Sequence, residues 1–145
     1  MKWSEHALVS LEQAGYRSSA PRTAVVDALA DVGCGVTARE IGDLLDRRGD
    51  RVGVASIYRA LEVLEQEGLV QRFDVGDSAA RYEPALPSGE HHHHLVCDRC
   101  GEVRAFEDED LERVIRRLAN RVDFAIDAHD VTLKGECPAC ATRTR

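Results

Sequence analysis

The stretch Glu90 to Val103, EHHHHLVCDRCGEV, sets four histidines directly before a Cys-x-x-Cys knuckle. A second knuckle, Cys137-Pro-Ala-Cys140, follows later in the chain. Four thiolates around zinc form a tetrahedral site with Zn–S near ~2.3 Å, and each knuckle offers two sulfurs from one tight turn. Two redox-active thiol pairs are the competing chemistry. Paired knuckles separated by a helix and a strand favour structural zinc, which would staple the ends of that segment together through Cys97, Cys100, Cys137 and Cys140.

The histidines carry a second message. If the run leads into a strand, alternate side chains point to opposite faces. His91 and His93 then face one way and His92 and His94 the other, so one run can serve two metal sites. Neither pair is a full ligand set. Glu83, Glu112 and His129 are ligand-type residues placed to complete them. A solvated polar strand with adventitious metal affinity is the alternative.

The bulk composition narrows what else the chain can be. Hydrophobic residues make up 43% and charged residues 31% of 145, values of a globular chain that builds a core. The net charge of −7 argues against a generally basic nucleic-acid binder but leaves room for a local basic patch. Apolar runs fall far short of the ~20 residues a bilayer span needs, and no charged-then-apolar leader opens the sequence. These features read as a cytoplasmic protein with no membrane partner, where cysteines are metal ligands or reactive thiols before they are disulfides.

The elements that must position these groups fall into two halves. SEHALVSLEQAG, APRTAVVDALADVG, TAREIGDLLDRRG and VASIYRALEVLEQEG each carry apolar residues at helical spacing and stop at a glycine. Thr37 followed by Glu40 reads as a capping box. Val70, Arg72 to Val75 and Arg81 to Glu83 read as two strands joined by a turn at Gly76-Asp77. Helices followed by a hairpin describe a winged helix-turn-helix. The segment PALPSG, with Pro84, Pro87, Ser88 and Gly89, reads as a linker. Beyond it HHHHLVC, EVRAF and DVTLKGEC read as strands. DEDLERVIRRLANR reads as an amphipathic helix with Leu111, Val114, Ile115 and Leu118 inward. The expected fold is α+β: a winged helix-turn-helix over 1–84, a hinge over 85–90 and a small α/β dimerisation and metal-binding domain over 91–145.

In order and joint presence, PRTAVVDAL, TAREIGDLL, VGVASIYRALEVLEQEGLVQR, HHHHLVCDRCGEV and DVTLKGECPAC resemble the ferric uptake regulator family along nearly the whole chain. The resemblance implies a homodimeric, metal-dependent repressor that binds double-stranded operator DNA and controls metal uptake or homeostasis genes, and not an enzyme. It implies structural zinc at Cys97, Cys100, Cys137 and Cys140. It also implies a hinge-proximal regulatory metal at Glu83, His92 and His94, and a further site at His91, His93, Glu112 and His129. SIYRAL stands where the family has its recognition helix, so Ser56, Tyr58 and Arg59 are implied in DNA contact, with Arg17 and Arg22 on phosphates.

Departures from the family pattern leave the fourth regulatory ligand open. The loop VGCGVT holds no histidine, and Arg104-Ala105 stands where some members have an acidic residue. Cys34 is the spare sulfur of that loop, and a lone cysteine near a helix end is in most cases simply packed. Glu plus two His suits iron or zinc, and also manganese or nickel, without dictating which. Two other functions compete. A peroxide-sensing branch of the family shares the fold. A zinc-dependent hydrolase would use an open coordination position to activate water, but it needs a His-Glu-x-x-His or a second base that the sequence lacks, and it leaves the winged helix unexplained.

Overall fold

Apolar side chains at helical spacing assemble the first half in the computed structural model, which describes residues 2–32, 34–76, 79–86 and 92–142. The chain divides into two compact units, Met1–Glu90 and His91–Arg145.

The first unit runs α1 (Trp3–Gln13), α2 (Ala20–Val32), β1 (Val36–Thr37), α3 (Ala38–Arg47), α4 (Val54–Gln66), β2 (Val70–Asp74) and β3 (Ala80–Pro84). Val25, Val26, Leu29, Ile41, Leu45, Ile57, Leu61 and Leu64 are fully buried together between the helices. Truncating such a side chain costs about 2–5 kcal/mol, a large share of a domain's stability, so this unit holds its shape without a ligand. Thr37 accepts the Glu40 amide at 3.1 Å and so caps α3. The other half of the expected capping box is absent, because the Glu40 carboxylate takes the Thr37 hydroxyl and the Arg81 guanidinium instead. Gly68, at φ +67°, ends α4 in the left-handed conformation that favours glycine.

The sheet of this unit runs β1-β3-β2 and is antiparallel throughout. Val75, expected in the first hairpin strand, lies just beyond β2, and Asp77 of the expected turn lies outside the described residues. β1 is only two residues long and escaped the sequence reading, since no period can be read from two residues. Its register, Val36 opposite Tyr82, brings the loop before it alongside the end of β3. Of the expected hinge, 87–90 lies outside the described residues.

The second unit centres on β4 (His93–Cys97), with β5 (Val103–Phe106) antiparallel on one side and β6 (Thr132–Gly135) parallel on the other. Helix α5 (Glu109–Arg121) is capped by Asp108, whose carboxylate accepts the Leu111 amide at 2.8 Å, and α6 (Pro138–Thr142) adds one turn that the sequence did not announce.

One expectation is corrected here. Leu111, Val114, Ile115 and Leu118 do not form a buried face: no residue of α5 is buried, and Val114 and Leu118 stand 53% and 43% exposed. Three short strands and one helix have too little surface to cover an apolar face from both sides. Leu133, Phe124 and Ile126 are exposed as well. Among the described residues of this unit, those that are buried are His93, His94, Cys97 and Cys140. Where a domain ordinarily keeps aliphatic side chains, this one keeps metal-ligand types.

Candidate metal centres and nucleic-acid interface

The two knuckles converge. Cys97 ends β4, Cys100 follows in a turn closed by the Gly101 amide on the Cys97 carbonyl at 2.9 Å, and Cys137 and Cys140 flank the start of α6. Gly101 sits at φ +76°, which lets the turn close so tightly. All four sulfurs lie within 4.8 Å of one another, and Cys100 and Cys137 are 3.8 Å apart. A tetrahedron with ~2.3 Å metal–sulfur bonds has edges of about 3.8 Å, so the sulfurs are spaced to hold zinc.

Their ionisation supports the same fit. The backbone amide of Cys100, and next that of Cys137, pull the Cys97 thiol down to about 6. The Cys140 thiol is pushed up to about 12, first by its side-chain contact with Cys137 and then by burial. One thiolate forms readily, while neighbouring thiols and burial oppose ionisation of Cys100 and Cys140, which is the condition a divalent cation relieves.

The histidine run divides at β4. His93 and His94 are both buried, each 1% exposed, and as neighbours on a strand they face opposite ways. On one face His93 Nε2 lies 2.5 Å from Glu112 Oε1, and His129 Nε2 lies 2.7 Å from Glu112 Oε2. Burial, the largest single influence, acts to raise the Glu112 carboxyl, but the two imidazole hydrogen bonds together hold it below its ordinary value. These are hydrogen-bond separations. Two nitrogen or oxygen ligands of one ion at ~2.0–2.1 Å stand about 2.9–3.3 Å apart, so a cation would spread the trio slightly. His91, expected in this set, lies outside the described residues.

On the other side of the alternation, His92 Nε2 meets Glu107 Oε1 at 3.2 Å and His94 Nδ1 lies 3.9 Å from Asp130 Oδ1. Neither acidic partner was foreseen in sequence, although Asp130 adjoins His129 and Glu107 directly follows β5. Glu83 belongs to the first unit, where it is 2% exposed on β3. There its Oε2 accepts the Cys34 thiol at 3.0 Å. Burial, and after it the Glu83 carboxylate, push that thiol up to about 12.

The remaining candidates sit on the helices of the first unit. Ile57, Ala60, Leu61 and Leu64 bury one side of α4 and leave Tyr58 and Arg59 exposed on the other, with Ser56 half-buried and 3.2 Å from the Arg59 guanidinium. Arg22 donates to the Arg17 carbonyl at 2.9 Å and lies over the Tyr16 ring, 5.3 Å from its centroid. A groove lined by Tyr16, Ser19, Arg22, Ser56 and Arg59 joins the start of α2 to that of α4. Arg17 itself is exposed beside it. The sequence pointed to the arginines and the tyrosine of α4, and Tyr16 emerges only from the packing.

Residues 13–134 match the ferric uptake regulator family. A ferric uptake regulation protein of Legionella pneumophila is 35% identical over 131 residues, spanning 90% of this chain and 95% of its own. A peroxide-responsive repressor of Staphylococcus aureus is 30% identical over 136 residues, spanning 94% and 90%. The solved ferric uptake regulator of Helicobacter pylori aligns with a TM-score of 0.81 at 27% identity, over 96% of this chain and 91% of that one. That structure is described as revealing three functional metal-binding sites.

Proposed function

The chain belongs to the ferric uptake regulator family, and on that premise we propose that it is a cytoplasmic, homodimeric repressor. It binds operator DNA when a regulatory divalent cation is present and so controls metal uptake or homeostasis genes. The observation that carries the reading is the character of the second unit, whose buried described side chains are two cysteines and two histidines, with Cys97, Cys140 and His93 in groups that could hold metal. It is joined to a first unit that exposes Tyr58 and Arg59 on a helix packed as in a winged helix-turn-helix.

In this reading Cys97, Cys100, Cys137 and Cys140 hold zinc that stabilises the second unit. Its exposed apolar residues Val114, Leu118 and Leu133 face a second copy of the chain, because a unit with so little aliphatic core needs a partner to bury them. Glu83 from 1–84 and His92 and His94 from 91–145 hold the regulatory ion across the hinge. His91, His93, Glu112 and His129 form a further site within the second domain. A bound divalent cation supplies the positive charge that lets Glu83 and the two imidazoles share one centre. The ligands from the two domains then restrict the hinge, and the paired α4 helices are held at the spacing of two operator half-sites. Selectivity for the active arrangement requires the ligands to grip more tightly there than in any other, since equal affinity shifts nothing.

On DNA, Tyr58 and Arg59 meet base edges in the major groove, Ser56 orients Arg59, and Arg17 and Arg22 bind phosphates. Tyr58→Ala is expected to relax sequence preference by about 1–3 kcal/mol at the contacted position. Arg22→Ala should weaken specific and nonspecific binding together and reduce the salt slope by about one. Salt titrations against duplex DNA enriched from a random pool check both. Wild-type affinity and slope in both variants would mean that another face docks. Similarity to a peroxide-responsive repressor keeps one second reading, in which iron and peroxide oxidise a ligand histidine. Mass spectrometry of the iron-loaded protein after peroxide would find added oxygen on His92 or His94 in that case alone.

A further inference from the structure

Tyr16 is fixed by its backbone, its ring and its hydroxyl, all within the first unit. Where α1 ends, the Gly15 amide donates to the Glu12 carbonyl and the Tyr16 amide to the Leu11 carbonyl, both at 3.0 Å. This pair of bonds closes the helix and sets the direction in which Tyr16 leaves it. The half-buried ring packs against the helical core, and the hydroxyl donates to the Glu67 carboxylate at 3.3 Å, just past α4. Over the ring lies the Arg22 guanidinium, 5.3 Å from the centroid. That is within the ~6 Å over which an aromatic face attracts a cation. Arg22 in turn stands in the first turn of α2, which opens where the Thr23 amide donates to the Ser19 carbonyl at 2.9 Å. Its Nη1 donates to the Arg17 carbonyl at 2.9 Å, and its Nε is buried without a hydrogen-bond partner among the described residues. The guanidinium is therefore held along one side, and its other terminal nitrogen is left for a group from outside.

We propose that Tyr16 is a positioning residue for DNA binding: its ring holds the Arg22 guanidinium in the orientation that meets a backbone phosphate beside α4. The inference rests on the placement of Arg22 on DNA given above, and it adds that part of that arginine's affinity belongs to the ring beneath it. The groove that Tyr16 and Arg22 line also carries Ser56 and Arg59 of α4, so a phosphate gripped there lies alongside the recognition helix. An arginine gives up rotamer freedom when it grips a phosphate. One already laid on an aromatic face has given up part of it before DNA arrives, so binding costs less. The Glu67 bond only steadies the ring, and it is the aromatic face that carries the effect.

The test uses full-length protein with its knuckles filled with zinc and a duplex of arbitrary sequence at ~50 mM salt, where phosphate contacts supply nearly all of the affinity. Arg22→Ala should bind about 10-fold more weakly, the loss of one phosphate contact at that salt. Tyr16→Leu should lose about 2–5-fold, the worth of an exposed contact between a cation and a ring. Tyr16→Phe, which keeps the ring and drops the Glu67 bond, should bind as wild type does. In an Arg22→Ala background Tyr16→Leu should cost nothing further, an outcome that a merely structural role would not give. Unchanged helical circular dichroism checks the fold, and Tyr16→Gln takes the place of Tyr16→Leu if leucine disturbs the core. A loss in Tyr16→Phe equal to that in Tyr16→Leu would assign the effect to the hydroxyl and overturn the proposal. A Tyr16→Leu loss that persists without Arg22, or no loss at all while Arg22→Ala is weakened, would overturn it too. Wild-type binding by Arg22→Ala would instead remove the DNA face itself and this inference with it.

Discussion

Cys137→Ser is expected to strip the zinc from the protein and to unfold or monomerise the second unit. Structural zinc contributes apparent folding free energies of about 10–16 kcal/mol in small zinc-bound peptides, which matches or exceeds the ~5–15 kcal/mol that holds a whole domain together. This unit has little else to fall back on. Its buried described residues are Cys97, Cys140, His93 and His94, and no apolar residue of α5 is buried within one chain, with Val114 and Leu118 exposed. The first unit, with Leu29, Ile41, Leu61 and Leu64 packed against each other, should keep its helices in the same variant. Zinc analysis together with light scattering checks the outcome. A dimer that retains one zinc per chain after the substitution would remove the cysteine centre from the account.

His92→Ala and Glu112→Gln are expected to fail differently. His92 is a proposed ligand of the regulatory ion, so its loss should abolish metal-activated DNA binding, a drop toward nonspecific affinity of about 10³-fold or more, while the dimer persists. Glu112 bridges His93 and His129 inside the second unit. Replacing its carboxylate should shift dimer stability or the metal concentration required, and leave DNA binding at saturating metal near wild type. Only ligands drawn from both domains can bias the orientation of one against the other. Metal titration of each variant, followed by DNA binding at saturation, makes the comparison. Identical behaviour would argue for one shared site served by the whole histidine run.

Much of this was legible in the residues because it depends on short-range spacing. The helices of the first unit announced themselves through apolar periodicity, the Thr37 cap and stop glycines such as Gly68. The knuckles declared a four-sulfur group, and strand alternation alone separated His93 from His94. What stayed hidden depends on distant pairing. The meeting of Cys34 with Glu83 follows from the register of a two-residue strand. The approach of His92 to Glu107 follows from the pairing of β4 with β5. The apolar stripe of α5 was read as inward-facing because periodicity reports that a face is apolar without saying what covers it. In one chain its cover is incomplete, and the proposed partner supplies the rest.

The central claim is that cation occupancy governs specific DNA binding. The direct measurement starts from protein that retains knuckle zinc but has been stripped of other metal. Its affinity for duplex DNA enriched from a random pool is then followed as Zn²⁺, Fe²⁺, Mn²⁺ and Ni²⁺ are each raised at buffered free concentration. The expected result is binding at the nonspecific level of ~10⁻⁴–10⁻⁶ M without added metal, rising to ~10⁻⁸ M or tighter once the regulatory site fills, with a steep dependence on salt. Equal affinity for that DNA with and without every cation would contradict it.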